Sequence, residues 1–390
     1  MALRAAWTMR CVTFVNSTRS EPEVAMHQNA NVLDDALPTP ARLALPNWTR
    51  SAARGAWRLA GALLSIAGTL LGLLFVTFAI GRLLPADPVL SVIGDRASAA
   101  LYDKVFIEMR LDRPLYEQFA LYVRDMLSGD FGTSLVTSNP IASDILRFFP
   151  ATLELATVGM LFGTLLGIPL GVLCARHEGR LVDHLGRVVS LLGHSIPVFW
   201  LGLVALLLFY AKLEWVGGPG RLDIAFQYSI PEVSGLVLLD CLLAGDSAAF
   251  ANALSHIVLP GALLGLVALG YIARMTRGFL LAQLHQDYIL VLRLKGFSQS
   301  RILWRYALPN AAGPILAVTV MAYAYLLEGA VLTETVFAWP GLGMFITESL
   351  FAADIPAVLA ATLVVGVVYL SFNMCSDALL VLLDPRARTQ

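Results

Sequence analysis

Residues 59–81, with the sequence LAGALLSIAGTLLGLLFVTFAIG, form a run of 23 residues without a charged side chain. An α-helix of this length is about 34 Å long at ~1.5 Å per residue, which is enough to cross the hydrocarbon core of a bilayer. Only 14% of the 390 residues are charged, whereas soluble globular chains carry about a quarter. The stretch therefore predicts an integral membrane protein with a first transmembrane helix over residues 57–84.

Five more apolar runs follow this helix and predict an all-α fold with six transmembrane helices. They cover residues 155–175, 188–211, 257–273, 306–327 and 355–376. The fifth run is expected to extend to about residue 333, and the fourth is short for a membrane span. Gly261, Gly265 and Gly270 lie in the fourth run and are expected to let neighbouring helices approach closely.

The basic residues between the runs orient the predicted helices. Residues 274–305 hold six Lys and Arg against the single acid Asp287, and residues 176–187 hold three arginines. Residues 212–255 instead hold two basic residues and five acids, and residues 338–356 hold no Lys or Arg. Since cytoplasmic loops are rich in Lys and Arg, the first two loops are expected inside, the other two outside, and both termini in the cytoplasm.

The segments outside the spans divide the rest of the chain. Residues 1–56 show no periodicity and are predicted to be a disordered cytoplasmic extension. Residues 85–149 carry aromatic residues at helical spacing and predict a small, mostly helical periplasmic segment. Residues 150–383 are expected to form a five-helix core with a cytoplasmic loop over residues 278–310, followed by a cytoplasmic tail over residues 384–390.

The sequence contains none of the motifs expected of an enzyme, a nucleotide-binding protein or a metal site. None of the three lysines, Lys104, Lys212 and Lys295, follows a glycine, so no G-x-x-x-x-G-K-[ST] phosphate-binding loop is present. The six histidines show no metal-ligand spacing, and no G-x-S-x-G nucleophile motif occurs. A net charge of −1 indicates no nucleic-acid partner. We expect no catalytic residue and no cofactor, and any ATP-driven step requires a partner chain.

The predicted cytoplasmic loop carries the most distinctive local pattern. Its segment DYILVLRLKG places apolar residues near helical spacing, with Arg293 and Lys295 just before Gly296, a pattern typical of a helix that ends at a glycine. Ser298 is expected to cap a second short helix, and Pro309 to mark the turn into the fifth span. On charge and periodicity alone, the loop is either a docking element for a soluble partner or an amphipathic helix resting on lipid headgroups.

Seven short motifs occur in order along the chain. They are LPADP (84–88), LDRPLY (111–116), GDFGTS (129–134), PATLEL (150–155), SIPVFW (195–200), ETVFAWPGLG (334–343) and LDPR (383–386). With the loop around Gly296, they resemble the dipeptide and oligopeptide branch of binding-protein-dependent permeases, the membrane subunits of ATP-driven importers. The resemblance covers about residues 57–388 and is to the first of two paired permease subunits. Leu290, Val291 and Leu292 depart from the family pattern, in which small or polar residues are usual.

The resemblance implies a type I ABC importer permease fold that forms half of a translocation pore in a bacterial inner membrane. The implied partners are a second homologous permease, two cytoplasmic ATPase subunits, a periplasmic substrate-binding protein, a peptide substrate and membrane lipid. In this family a glycine-centred coupling helix docks into the ATPase. That assigns coupling to Asp287, Arg293, Lys295, Gly296 and Ser298.

Four further residues are candidates for the translocation path or its gate. Glu328 lies within the fifth span, where a carboxylate should face the bundle interior or water. It is expected either to line the path or to pack against a polar group of the second permease. Trp339, Pro340 and Gly341 lie in an outer segment and are candidates for a gate or a receptor contact.

Two alternative functions stay open on the residues alone. The same machinery could carry another solute, such as a nickel chelate, glutathione or an oligosaccharide, because none of the motifs indicates which solute is transported. A stand-alone channel or secondary transporter would need no ATPase at all.

Overall fold

A computed structural model describes residues 47–83, 88–94 and 98–383 of the chain. Residues 1–46 of the predicted extension, most of the LPADP motif and the predicted tail lie outside these ranges. Residues from Leu63 onward form a compact unit, and the packing described below lies within it.

The described residues are mostly helical, as predicted. The helices are α1 (Asn47–Leu83), α2 (Pro88–Ile93), α3 (Ala99–Glu108), α4 (Leu115–Leu127), α5 (Ile141–Arg176), α6 (Leu181–Ser195), α7 (Val198–Ala205), α8 (Ile224–Gln227), α9 (Val237–Ala244), α10 (Ser247–Leu284), α11 (Asp287–Leu294), α12 (Gln299–Ile302), α13 (Leu308–Phe337), α14 (Leu342–Phe351) and α15 (Ile355–Leu383). π-Helical turns over Leu206–Lys212 and Leu303–Ala307 continue α7 and join α12 to α13.

Five helical stretches in the described ranges are long and apolar enough to cross a membrane: Leu64–Arg82 of α1, α5, α10, the continuous stretch Gln299–Phe337, and Ile355–Leu380 of α15. The pair α6 and α7 is a sixth if it counts as one span. This agrees with the prediction of six spans.

The third apolar run does not form the continuous helix that was predicted over residues 188–211. It is divided between α6 and α7, whose axes differ by 93°. Ile196 is extended, with φ −86° and ψ 129°, and Pro197 directly precedes α7. The ring of a proline disfavours the helical conformation in the residue before it, so the helix ends there.

α10 lies at the centre of the bundle, although its apolar run is the shortest in the sequence. It is 38 residues long, and 78% of its most apolar window is buried. The apolar run is bounded by His256, which is buried within the helix, and by Arg274, which is exposed. The short apolar run is therefore explained by the position of α10, which is surrounded by other helices instead of by lipid.

The packing of α5 against α10 depends on glycine at four-residue spacing. A Cβ atom on Gly163 would lie 2.5 Å from Ala268 Cβ, and one on Gly171 would lie 2.6 Å from the carbonyl oxygen of Ala273. From the opposite helix, a Cβ on Gly265 would lie 2.5 Å from Phe162 Cβ. Such backbone contact is how small residues stabilise helix pairs in lipid. The expected close approach at Gly261, Gly265 and Gly270 is confirmed.

The segment after α1 is helical, as predicted, and it is fixed to the bundle at two places. Phe119 of α4 packs edge-on against Phe78 of α1, with ring centroids 5.4 Å apart. Asp354, which is fully buried before α15, accepts hydrogen bonds from Ser134 Oγ at 2.7 Å and from the backbone N–H of Leu135 at 2.6 Å. The carboxylate thus holds the turn that leads into α5.

We predict that Gly163→Ala destabilises the folded protein by about 1–3 kcal/mol, because the added methyl group must push α5 away from α10. Gly278→Ala is the matched control, since a Cβ there has nothing within 4 Å in the same helix pair. It should be neutral or slightly stabilising because alanine is the better helix former. Thermal unfolding in detergent measures both, and equal melting temperatures would contradict the proposed interface.

Candidate functional site: the elbow between α11 and α12

α11 ends at Gly296 in a hydrogen-bonded turn. Gly296 has φ +80°, a conformation that favours glycine because it has no Cβ. Its N–H donates to the carbonyl oxygen of Arg293 at 3.0 Å, and the N–H of Phe297 donates to that of Leu292 at 3.2 Å. This pair of bonds is a Schellman motif, which satisfies the last carbonyl groups of a helix. The predicted helix end at Gly296 is therefore confirmed.

Ser298 caps α12, as predicted. Its side chain accepts a hydrogen bond from the N–H of Arg301 at 3.4 Å, and the Arg301 guanidinium lies 4.9 Å from the centre of the Phe297 ring. The second short helix is not separate, however. The π-helical turn joins it to α13, with the N–H of Leu308 donating to the carbonyl oxygen of Leu303. Pro309 consequently lies in the first turn of α13, directly after the π-helical turn and inside a continuous helical stretch.

One face of this elbow, defined as residues 287–302, is anchored in the bundle. Ile289 and Ile302 are fully buried and pack with Leu280 of α10 and Val172 of α5. The hydroxyl of Tyr288 donates to Gln283 Oε1 at 3.1 Å and accepts from Asn310 Nδ2 at 3.2 Å. These contacts join the elbow to the end of α10 and the start of α13.

The opposite face of the elbow is exposed in this chain. Leu290, Val291 and Leu294 are 57%, 49% and 79% exposed. The charged residues Asp287, Arg293 and Lys295 are exposed beside them. An apolar ridge flanked by cations is a surface suited to a protein partner with a complementary groove.

An ion pair with a buried carboxylate joins α6 to α10, one turn before Leu280. Arg277 of α10 donates from Nε and Nη2 to the two carboxylate oxygens of Asp183 at 2.6 and 2.8 Å. Asp183 is 1% exposed and also accepts from the N–H of Gly179 at 3.0 Å. Sequence reasoning missed this pair, although Asp183 is an acid within an arginine-rich loop, which is a usable signal.

The other end of α13 holds a buried polar cluster that the sequence analysis did not identify. Glu334 is fully buried and accepts hydrogen bonds from Thr152 Oγ1 at 2.6 Å and from the N–H of Met344 at 3.0 Å. Thr152 in turn accepts from the N–H of Leu342 at 2.8 Å. These bonds fix the corner between α13 and α14 to the N-terminal third of α5. The signal was present, since Glu334 opens the ETVFAWPGLG motif.

The structure places the four path or gate candidates in different environments. Trp339 is fully buried, and its Nε1–H donates to the carbonyl oxygen of Ala151 at 2.8 Å. A Cβ on Gly341 would lie 2.4 Å from the carboxyl carbon of Glu334, and Pro340 is partly buried beside it. Glu328 is exposed, and its carboxylate forms no hydrogen bond or ion pair with the part of the chain that is described. In this conformation Trp339 supports the corner and offers no surface to a receptor.

A second ion pair connects this corner to the segment after α7. Arg221 donates from Nη2 to Glu154 Oε2 at 2.6 Å, and its guanidinium lies 5.5 Å from the centre of the Trp339 ring. Glu154 also accepts from the N–H of Leu238 at 2.7 Å. Asp240 stabilises the turn before α9: burial would raise the pKa of its carboxyl, but hydrogen bonds, chiefly from Ser234, hold that pKa below its ordinary value.

Comparison with known proteins identifies one family and several relatives. Residues 167–389 match the family described as "Binding-protein-dependent transport system inner membrane component". The chain is 45% identical over 315 residues to the "Probable D,D-dipeptide transport system permease protein DdpB" of Escherichia coli K12, which covers 81% of this chain and 92% of that protein. It is 39% identical over 323 residues to the "Di/tripeptide transport system permease protein DppB" of Pseudomonas aeruginosa, with coverages of 83% and 96%.

Among solved structures, the chain is similar to the MetNI methionine ABC transporter in an inward-facing conformation. The TM-score is 0.47 at 18% identity, and the match covers 64% of this chain and 100% of that chain.

We predict that Thr152→Val destabilises the protein by about 1–3 kcal/mol, because it removes one hydrogen bond to the buried Glu334 carboxyl and leaves the N–H of Leu342 without its partner. Thr335→Val is the matched control, since the exposed Thr335 hydroxyl bonds mainly to the carbonyl oxygen of Val331 in its own helix. Thermal unfolding in detergent compares the two. A melting temperature for the Thr152 variant equal to that of the control would show that the cluster contributes little.

Proposed function

The chain belongs to the family of binding-protein-dependent transport system inner membrane components, and we propose that it couples ATP hydrolysis by a partner to the import of dipeptides or oligopeptides. It is a transporter permease subunit of the inner membrane and not an enzyme. Family membership implies an ATPase and a substrate-binding protein as partners. The peptide names of the relatives support the peptide cargo, and no observation favours the other solutes or a stand-alone channel.

The observation that carries the coupling role is the two-faced elbow. Its buried face is fixed by Ile289 and Ile302, while Leu290 and Leu294 project from the other face. A partner that bound the exposed ridge would bury its apolar surface, which stabilises the complex by about 25 cal/mol for each Å² buried. Because the buried face is packed rather than flexible, a displacement of the ridge would move the bundle with it.

A displacement of the elbow can be transmitted to the helices on both sides of it. The elbow follows α10 after the two residues His285 and Gln286, and on its far side the helix runs without a break from Gln299 to Phe337. α10 in turn packs against α5 through the glycine contacts. Movement at the elbow would therefore reach both the centre of the bundle and the Glu334 corner, as alternating access requires.

The charged residues of the elbow suit a partner with an acidic rim. Asp287 lies in the first turn of α11 and Arg293 in the last turn, so each charge complements the helix dipole. Lys295 and Ser298 flank Gly296 at the bend. We assign contact with the ATPase to Arg293 and Lys295, and the geometry of the bend to Gly296 and Ser298.

We place the elbow and both termini in the cytoplasm, because the basic residues cluster in the loops on that side. The segment after α1 and the corner around Trp339 would then face the periplasm. We propose that a second homologous permease completes the pore. Glu328, which projects from α13 without a partner among the described residues, is our candidate for a side chain on that shared face. We assign the buried Trp339, Pro340 and Gly341 to supporting the outer gate.

We predict that Gly296→Pro abolishes ATP-driven uptake of labelled di- and tripeptides while the protein stays in the membrane. Proline cannot adopt φ +80° and lacks the N–H that donates to Arg293. Gly296→Asn is the conservative control and should keep most uptake, because asparagine tolerates the left-handed conformation. Both variants are expressed in cells that lack the native copy.

Three outcomes of this assay are informative. Normal uptake by the proline variant would contradict the role of the bend. Normal di- and tripeptide uptake in cells without any copy would contradict the peptide cargo and leave the coupling role intact. Loss of the protein from the membrane would assign Gly296 a folding role instead.

We also predict that Leu294→Glu weakens co-purification of the ATPase by at least ten-fold without lowering thermal stability. The side chain is 79% exposed, so the change removes apolar contact with the partner but disturbs no core. Leu127→Glu is the matched control, with the same exposure on α4 in the predicted periplasmic segment. Equal ATPase recovery with both variants would exclude the exposed ridge as the docking surface.

A further inference from the structure

A cavity of about 370 Å³ lies at the C-terminal end of α1, between α4 and the start of α15. None of its lining residues belongs to the elbow or to the Glu334 corner. Its walls are mostly apolar and include Phe78, Met109, Tyr122, Met126, Phe131, Ile355 and Leu359. A mostly apolar cavity of this size with a few polar groups is the usual form of a small-molecule site. We propose that it binds a short peptide with an apolar C-terminal residue.

The cavity carries one positive charge without a counter-ion. The side chain of Arg82 lines the cavity and is partly buried, with its guanidinium 5.6 Å from the centre of the Phe78 ring. It forms no ion pair or hydrogen bond with the part of the chain that is described. A guanidinium in this position suits a carboxylate ligand, which it binds through two parallel hydrogen bonds. We assign Arg82 to the C-terminal carboxylate of the peptide.

Two carboxylates that lack a cationic partner line the same cavity. Glu108 is exposed and pairs with no cation in the described ranges, and Asp130 accepts one hydrogen bond, at 3.2 Å from a backbone N–H of its own turn. Arg110 and Asp125 also line the cavity, but they neutralise each other at 2.8 Å. One free cation and two free anions complement a zwitterion, whose carboxylate would lie at Arg82 and whose ammonium group would lie near the two acids.

The apolar walls favour a peptide over a zwitterionic lipid headgroup. The headgroup of phosphatidylethanolamine carries both charges but no apolar group, and its acyl chains would lie outside a cavity of this size. A peptide with an apolar C-terminal residue places that side chain next to its carboxylate, where Phe78 and Tyr122 can cover it. The choice of a peptide rests on the proposed function, since peptides are the zwitterions that such a permease meets.

The backbone around the cavity supports a binding role. Arg110 and Ala353 line it with φ +58° and +56°, a left-handed conformation that residues other than glycine rarely adopt. Five described residues other than glycine have a positive φ, and these are two of them. Such strained residues cluster at ligand-binding sites. Residues 130–132 of the GDFGTS motif also line the cavity, so one of the motifs that resemble the dipeptide permease branch contributes to its wall.

The test is equilibrium dialysis of labelled Ala-Phe against the assembled transporter, purified without its substrate-binding protein. The C-terminal amide of Ala-Phe and its N-acetyl form each remove one charge from the ligand and leave the protein unchanged. Arg82→Gln and Glu108→Gln remove the matching charges from the cavity. Lys104→Gln is the matched control, since Lys104 is exposed on α3 and does not line the cavity.

The amide and the Arg82→Gln variant should each weaken binding by about ten-fold, because a hydrogen bond between charged groups is lost. In that variant the amide should bind no worse than the free acid, since the two changes remove the same interaction. N-acetylation and Glu108→Gln should each weaken binding by about three-fold, because Glu108 is exposed. The Lys104 variant should bind normally.

Equal binding of the acid and the amide by the unmodified protein would overturn the proposal, as would unchanged binding of Ala-Phe by the Arg82→Gln variant. A phospholipid that blocks Ala-Phe and is itself lost from that variant would assign the cavity to a lipid and would also overturn it. Uptake of labelled Ala-Phe by cells is measured in parallel. Uptake without binding in this cavity would overturn only this inference, whereas binding without uptake would contradict the proposed peptide import and leave the site intact.

Discussion

The close approach of α5 and α10 is the constraint on which the rest of the structure depends. In lipid the spanning helices gain little by hiding apolar side chains from one another, so their association relies on dense backbone packing. Glycines on α5 allow this dense packing. Gly163 and Gly171 lie so close to α10 that a Cβ atom on either would clash with it. The helix pair positions two other parts of the structure. Thr152 of α5 bonds to Glu334 at the corner between α13 and α14, and Val172, nearer the C-terminus of α5, packs against the elbow.

α13 connects the two ends that this pair positions. At its N-terminus it continues from the elbow without a helical break, and at its C-terminus Glu334 is fixed by Thr152. A buried carboxyl that keeps several hydrogen bonds costs less than an unpaired one but tolerates little rearrangement. The corner is therefore a point at which movement of α13 must either carry α5 and α14 along or break these bonds. A two-state transporter needs such a point, since discrete packing arrangements give discrete states.

The sequence predicted the features that depend on local patterns. Apolar runs marked the spans, and Gly296 and Ser298 marked the bend, because helix ends have a chemistry that can be read over a few residues. The sequence did not predict contacts between residues that are far apart in the chain, such as the hydrogen bond between Asp354 and Ser134. The choice of Glu328 over Glu334 shows why. α13 is apolar on all sides, so no periodicity indicates which of two carboxylates, six residues apart and on different faces, points inward.

The apolar ridge on α11 also explains a departure from the family pattern. Leu290, Val291 and Leu292 stand where small or polar residues are usual, and the structure divides them between two faces of the helix. Leu292 turns inward and, like Phe297, packs against the buried cluster that includes Ile289 and Ile302. Leu290 and Val291 turn outward with Leu294, where they add nothing to the fold. An exposed apolar surface on the elbow is disfavoured unless something covers it, so the extra apolar residues argue for a partner whose groove is correspondingly apolar.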